Sequence, residues 1–305
     1  MKRKALVLSL LLLFFGQILA QESIPLWEGY DVSHGKQVTL TPFVAHNNET
    51  GLAVIVCPGG SYCWLDEENE GDKVAKWLQD NGITAFVLRY RTIGFAAYMW
   101  RYRGLFRGKQ HPDMITDAQR ALQWVREHAK AYHIDPEMVD MMGFSAGGHL
   151  VMSAACFSEF NFLEKNGIDT KVSLRPTFVA PIYPVVTMRE PYVHKRSRRA
   201  LLSEKHYHNP TMIDSLSLER HIPANCPPVF LVNCVDDPTV EYHNSILLDS
   251  ALTANRINHR YLQFKTGGHG FGASDEKGTE ESQKWRQEFL NWIRSLSLSK
   301  GRHNN

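Results

Sequence analysis

Ser145 is the residue of this chain best placed to do chemistry. It sits in Gly143-Phe144-Ser145-Ala146-Gly147, a G-x-S-x-G pattern. A largely apolar run (138–142) precedes the pattern, and Leu150, Val151, Ala154 and Ala155 follow it at roughly amphipathic spacing. A buried strand, a sharp turn and a helix fit that order. Gly143 and Gly147 must be small if the helix start passes close to the strand end, and Ser145 then stands at the apex, near the positive end of the helix dipole. A serine hydroxyl is almost wholly un-ionised at neutral pH. To attack an ester carbonyl it needs a base, and the base needs an acid to orient it.

Both partners have candidates downstream. Asp236-Asp237-Pro238 directly follows an apolar run (229–233), and Gly267-Gly268-His269-Gly270-Phe271-Gly272 follows another (261–264). A carboxylate at the C-terminal end of a buried strand points into the crevice where open α/β sheets keep their sites. A histidine among so many glycines is a loop residue whose backbone is free to deliver the imidazole. On these grounds either Asp236 or Asp237 can reach His269, with the other bracing the turn. His149, one helical turn after Ser145, is expected to pack or to bond the backbone, and His133, His206, His208 and His221 have no arrangement that speaks for them. Upstream, Gly59-Gly60-Ser61 ends the apolar run 53–57. Its backbone N–H groups, with that of Ala146, can be aimed at a developing oxyanion.

The elements that must carry these loops alternate along the chain. Strands are expected at 53–57, 83–88, 139–143, 178–183, 229–233 and 261–264, and an edge strand at 37–43, the one setting where Pro42 is tolerable. Helices are expected at 70–79, 113–131, 242–254 and 281–296, with a frayed polar tail from Ser297. The fold class is therefore α/β: a mostly parallel central sheet with helices on both faces, in one domain over 21–305. Residues 89–110 stand out as rich in Arg and aromatics without a single acid. Tyr98, Trp100 and Tyr102 in that insertion suit either a lid or sugar-binding wall, or a helical elaboration packed on the body. The basic run 194–199 reads as a solvated face.

Composition narrows the function classes. Hydrophobic residues make up 43% of the 305 and charged ones 22%, enough for a sizeable core and against disorder. Residues 1–20 read as a secretory leader: Lys2, Arg3 and Lys4, then an apolar stretch short for a bilayer, then Ala20 as the small residue at the cleavage point. A periplasmic or secreted protein without stable membrane insertion is expected. The formal charge of +2 falls to −1 once Lys2, Arg3 and Lys4 leave with that segment, so neither nucleic acid nor an anionic membrane is indicated as a partner. Five cysteines lack zinc spacing, and no metal is expected. Cys57, Cys156 and Cys234 lie in apolar contexts, while Cys57–Cys63 and Cys226–Cys234 are spaced for bridges in an oxidising compartment.

Taken in order, Pro58-Gly59-Gly60, Gly143-Phe144-Ser145-Ala146-Gly147-Gly148-His149-Leu150, Asp236-Asp237-Pro238 and Gly268-His269-Gly270-Phe271-Gly272 resemble the α/β-hydrolases. More narrowly, the chain is similar to their acetyl esterase/lipase-like branch, which includes bacterial acetylxylan esterases and related carbohydrate esterases. The similarity runs from about residue 54 to residue 292 and includes Asp117-Ala118-Gln119-Arg120-Ala121 and Ile134-Asp135-Pro136. The resemblance implies that Ser145 is the nucleophile, His269 the base and Asp237, the acid before proline, its orienting partner. It also implies oxyanion donors at Gly60, Ser61 and Ala146, no cofactor, and an acylated carbohydrate as substrate. A general short-chain carboxylesterase or lipase, and a silent carbohydrate-binding homologue, are the alternatives. The chain departs from the family pattern in two places: Ser61 replaces a third glycine, and the 89–110 connection is longer.

Overall fold

The computed structural model describes residues 22–96 and 109–301. The expected leader, and Tyr98, Trp100 and Tyr102, lie outside the described residues. In chain order the strands are β1 (Ile24–Pro25), β2 (Thr39–Phe43), β3 (Ala53–Cys57), β4 (Thr84–Arg89), β5 (Val139–Phe144), β6 (Val179–Ile182), β7 (Val229–Cys234) and β8 (His259–Phe264). They form one sheet in the order β1-β2-β4-β3-β5-β6-β7-β8. Strands β3 to β8 run parallel, and β2 and β1 add antiparallel at one side. The apolar runs of β3, β5, β6 and β7 are buried throughout, as a parallel sheet covered on both faces requires.

Side-chain alternation splits the core into two layers. Ala53, Ile55, Met141 and Leu231 face one way, onto Ala118 and Leu122 of α2 (Asp113–Glu127) and Leu150 and Val151 of α3 (Ala146–Cys156). Val54, Val56, Met142 and Val232 face the other way. There they meet Val74 and Leu78 of α1 (Lys73–Asp80) and the Trp285, Phe289 and Trp292 cluster of the C-terminal helix. Helices α4 (Lys195–His206), α5 (Pro210–Ser215), α6 (His243–Ala254), α7 (Glu280–Gln283) and α8 (Trp285–Gly301) complete the chain.

Several expectations are corrected. β2 is not the outermost strand, because β1 pairs with it at Thr39 and Leu40; Pro42 lies beyond that short partner, where β2 is again an edge. The first helix does not begin at residue 70 but is entered through a π-helical turn, Glu67–Asp72, that redirects Glu70 inward. α3 is buried on all sides rather than amphipathic. The C-terminal helix continues to Gly301, past the expected frayed start at Ser297. All five cysteines are free, buried thiols, so neither suggested bridge is present.

Asp117 shows why one of the quieter stretches matters. Its buried carboxylate takes Arg91 Nη2 at 2.8 Å and Nε at 2.9 Å, and accepts from Trp27 Nε1 at 2.9 Å. That network ties α2 to the segment leaving β4.

The close approach expected of the glycines is present in extreme form. A Cβ at Gly143 would lie 2.1 Å from the Gly147 carbonyl oxygen, and one at Gly147 would lie 2.0 Å from the Cys57 carbonyl oxygen. Gly147→Ala therefore separates two effects of opposite sign. Helix propensity alone would stabilise the variant by about 1 kcal/mol. The backbone clash predicts a loss of about 3 kcal/mol, read by urea unfolding. Stability at or above that of the unsubstituted chain would contradict the close approach.

Candidate active site

Four loops meet at the C-terminal ends of β3, β5, β7 and β8. The chain leaves β3 toward β4 on one side and returns to β5 on the other, so connections diverge between β3 and β5. A crevice opens at such a switch point. Ser145 stands there with φ 53° and ψ −116°, a conformation that side chains rarely adopt. Surrounding bonds hold it: its N–H donates to the Ile182 carbonyl (3.0 Å), and its carbonyl accepts from Val185 (3.1 Å) and His149 (3.2 Å). A strained residue of this kind costs about 1–3 kcal/mol, so these contacts are what keep the hydroxyl on the rim.

The structure brings the expected side chains together. His269 Nε2 lies 2.9 Å from Ser145 Oγ, and its Nδ1 lies 2.6 Å from Asp237 Oδ2. The Asp237 side chain is 2% exposed, and its other oxygen accepts the N–H groups of Thr239 (2.8 Å) and Val240 (2.9 Å). With Nδ1–H donating to Asp237, the Nε2 lone pair faces the serine hydroxyl, the tautomer a general base needs. Asp236 takes the bracing role: its carboxylate accepts from Gly268 N–H at 2.8 Å and Gly267 N–H at 3.2 Å. Trp285 Nε1 donates to the Gly272 carbonyl (3.0 Å) and holds the far end of the histidine loop.

The glycine loop after β3 turns sharply, with Gly60 at φ 133°, Ser61 at 58° and Tyr62 at 62°. A Cβ at Gly60 would fall 2.1 Å from the Trp64 carbonyl oxygen. Gly59 N–H is already committed, donating to Glu70 Oε2 at 2.7 Å. Among the described residues, the N–H groups of Gly60 and Ser61 have no protein acceptor, as donors awaiting an oxyanion would. Ser61 keeps its N–H in a left-handed conformation that glycine would adopt without strain, with its side chain buried.

Other histidines separate clearly. His149 donates Nε2–H to the Leu216 carbonyl (2.9 Å), so its Nδ1 accepts the Tyr62 hydroxyl (2.8 Å). Burial pushes its pKa down to about 4, leaving it a neutral structural group, as its position suggested. His194 was not expected. It is half-buried beside Ser197 Oγ (2.8 Å), its pKa is pushed down to about 4 by burial, and it lies within electrostatic reach of His269 and Asp237. The basic run it begins is a solvated face only in part, with Lys195 exposed. Arg198 is buried, donates to the Met188 carbonyl (2.9 Å) and lies 4.1 Å over the Tyr207 ring.

Glu70 and Tyr183 were also missed. Glu70 sits in an acidic turn that resembles a solvated one in sequence, and Tyr183 is one aromatic among many at strand ends. Of the aromatic insertion, Phe95 is described: it is 58% exposed and edge-on to Trp64, beside the glycine loop. Among the described residues, no group of three His, Cys, Asp or Glu side chains is arranged to hold a metal ion.

Comparison with known proteins finds relatives of this chain. A family model described as BD-FAE matches residues 43–252. Endo-1,4-beta-xylanase B of Butyrivibrio fibrisolvens is 31% identical over 252 residues, covering 81% of this chain and 37% of that protein. The acetylxylan esterase of Xylanibacter ruminicola is 29% identical over 260 residues, covering 83% of this chain and 47% of that protein. The chain thus spans less than half the length of these two relatives. The crystal structure of an acetyl ester-xyloside bifunctional hydrolase from Caldicellulosiruptor lactoaceticus superposes with a TM-score of 0.77 at 30% identity, covering 92% of this chain and 98% of that one.

The two aspartates should behave differently. Asp237→Asn should lower kcat by about 10³–10⁴-fold with little change in KM, because it favours the wrong imidazole tautomer. Asp236→Asn, which weakens only the backbone anchor, should cost on the order of 10-fold. Steady-state kinetics on a nitrophenyl ester measures both, and equal losses would contradict the division of roles.

Proposed function

The chain belongs to the BD-FAE family of α/β-hydrolases, and on that premise we propose that it is an exported serine esterase removing short acyl groups, acetyl above all, from a carbohydrate. The observation that carries the reading is the continuous relay from Ser145 through His269 to Asp237, packed against the glycine loop whose Gly60 and Ser61 N–H groups are uncommitted. Ser145 Oγ attacks the ester carbonyl as His269 Nε2 takes its proton, and Asp237 stabilises the imidazolium. The carbonyl oxygen, now anionic, is received by the N–H groups of Gly60, Ser61 and Ala146. Each such donor typically contributes about 2.7–4 kcal/mol in the transition state. The tetrahedral intermediate collapses as His269 protonates the departing sugar oxygen. Water, activated by the same imidazole, then attacks the acyl-serine and releases the acid.

A carbohydrate leaving group is supported by the names of the relatives: an endo-1,4-beta-xylanase, an acetylxylan esterase and an acetyl ester-xyloside bifunctional hydrolase. Export is supported by the leader-like composition of residues 1–20. Ser145→Ala should lower hydrolysis of nitrophenyl acetate by about 10³-fold or more. Acetate release from acetylated xylan should then exceed hydrolysis of longer acyl esters by the unsubstituted enzyme. Persistence of full activity in Ser145→Ala would overturn the mechanism, and a preference for long acyl chains would point to a lipase instead.

A further inference from the structure

Glu70 is a buried carboxyl inside the site that the relay does not use. Only 3% of it is exposed, and both oxygens are engaged. Oε2 accepts the Gly59 N–H at 2.7 Å, and Oε1 accepts the Tyr183 hydroxyl at 2.9 Å. Tyr183 in turn accepts the Gly272 N–H at 2.9 Å, and its ring lies 4.7 Å from that of His269. The packing leaves no slack. A Cβ at Gly59 would fall 2.6 Å from Glu70 Oε2 and 2.8 Å from Ser145 Cβ, and one at Gly272 would fall 2.1 Å from the Asn69 carbonyl oxygen. One side chain therefore joins the loop that carries the oxyanion donors to the loop that carries the base.

The acceptor roles of both oxygens suit the ionised form. Tyr183 accepts from Gly272, so its own hydrogen must go to Glu70; a protonated Glu70 donating to Tyr183 would leave that hydrogen without an acceptor. We propose that Glu70 is a positioning residue: its carboxylate clamps the oxyanion loop to the histidine loop, and its negative charge supports the imidazolium formed at His269 during catalysis. This rests on the serine–histidine–aspartate reading above and deepens it.

The groups facing Glu70 are Asp66 from its own turn, Tyr183 after β6, His269 after β8 and Tyr90 after β4. Burial, with a smaller push from Asp66, raises the Glu70 pKa to about 7 against the opposing pull of a positive His269 and of the Gly59 and Tyr183 bonds. Protonation on the acid side removes that negative charge and weakens the clamp. The sign for stability is opposite to that for activity. The folded-state pKa stands above the ordinary value of 4.5, so the stabilising contribution is present below that value and is lost as pH rises through about 7.

The test is Glu70→Gln, compared with Ser145→Ala and the unsubstituted enzyme on nitrophenyl acetate from pH 5 to 9. The variant should lose on the order of 10-fold in kcat at pH 8, with KM changed far less. The acid limb of kcat/KM, steeper than one ionisation in the unsubstituted enzyme, should become a single ionisation. Its thermal midpoint at pH 8 should equal or exceed that of the unsubstituted chain, which a merely structural role would not allow. Tyr183→Phe, which breaks the link but keeps the charge, should lose less kcat and carries the test if the first variant does not fold. Unchanged kcat and pH profiles in the folded variants would overturn the proposal. Loss of activity in Ser145→Ala alongside such unchanged variants would leave the relay standing and sink only the role of Glu70.

Discussion

Everything at the rim depends on how closely the backbone of α3 approaches the ends of β3 and β5. The Gly147 carbonyl oxygen would stand 2.1 Å from a Cβ at Gly143, a distance that only glycine can leave open. Because the helix starts so near the strand, the intervening residue is forced into the strained conformation seen at Ser145, and its hydroxyl has nowhere to go but outward. The same approach brings the N-terminus of α3, with Ala146, against the glycine loop. The proposed nucleophile and its proposed oxyanion donors are thus placed by one packing constraint rather than by separate ones.

Electrostatics completes the arrangement with a small number of carboxylates in distinct jobs. Asp237 and Asp236 are adjacent in sequence, yet one bonds the imidazole and the other the backbone of the imidazole's own loop. The loop is glycine-rich and would be mobile alone, with Gly267, Gly268, Gly270 and Gly272 all at positive φ. Asp236 fixes its start at Gly267 and Gly268, and Trp285 and Tyr183 both fix its end at Gly272. Preorganisation of this sort is where most of the rate advantage of such sites originates, since nothing then has to reorient as charge develops.

Much of this was legible in the chain itself, for physical reasons. Buried parallel strands such as β3 and β7 must be continuously apolar, so they announce themselves, and the loops at their C-terminal ends can then be searched for chemistry. The choice between Asp236 and Asp237 was not available from residue pattern alone and came from family resemblance. β1 is too short to carry a period, and α4 hides its packing behind a basic sequence whose Arg198 is stacked on Tyr207 rather than solvated. Glu70 was invisible for a deeper reason. Among Glu67, Glu68 and Glu70 the three carboxylates look alike, and only the π-helical register of the turn decides which one faces inward.

The most direct test of the central claim is active-site labelling with a fluorophosphonate, which needs the nucleophile, the base and the oxyanion donors together but no particular leaving group. The account predicts a single adduct, located at Ser145 by peptide mass, whose rate of formation collapses in His269→Ala. Labelling at another residue, or labelling at Ser145 that proceeds unchanged without the imidazole, would contradict it.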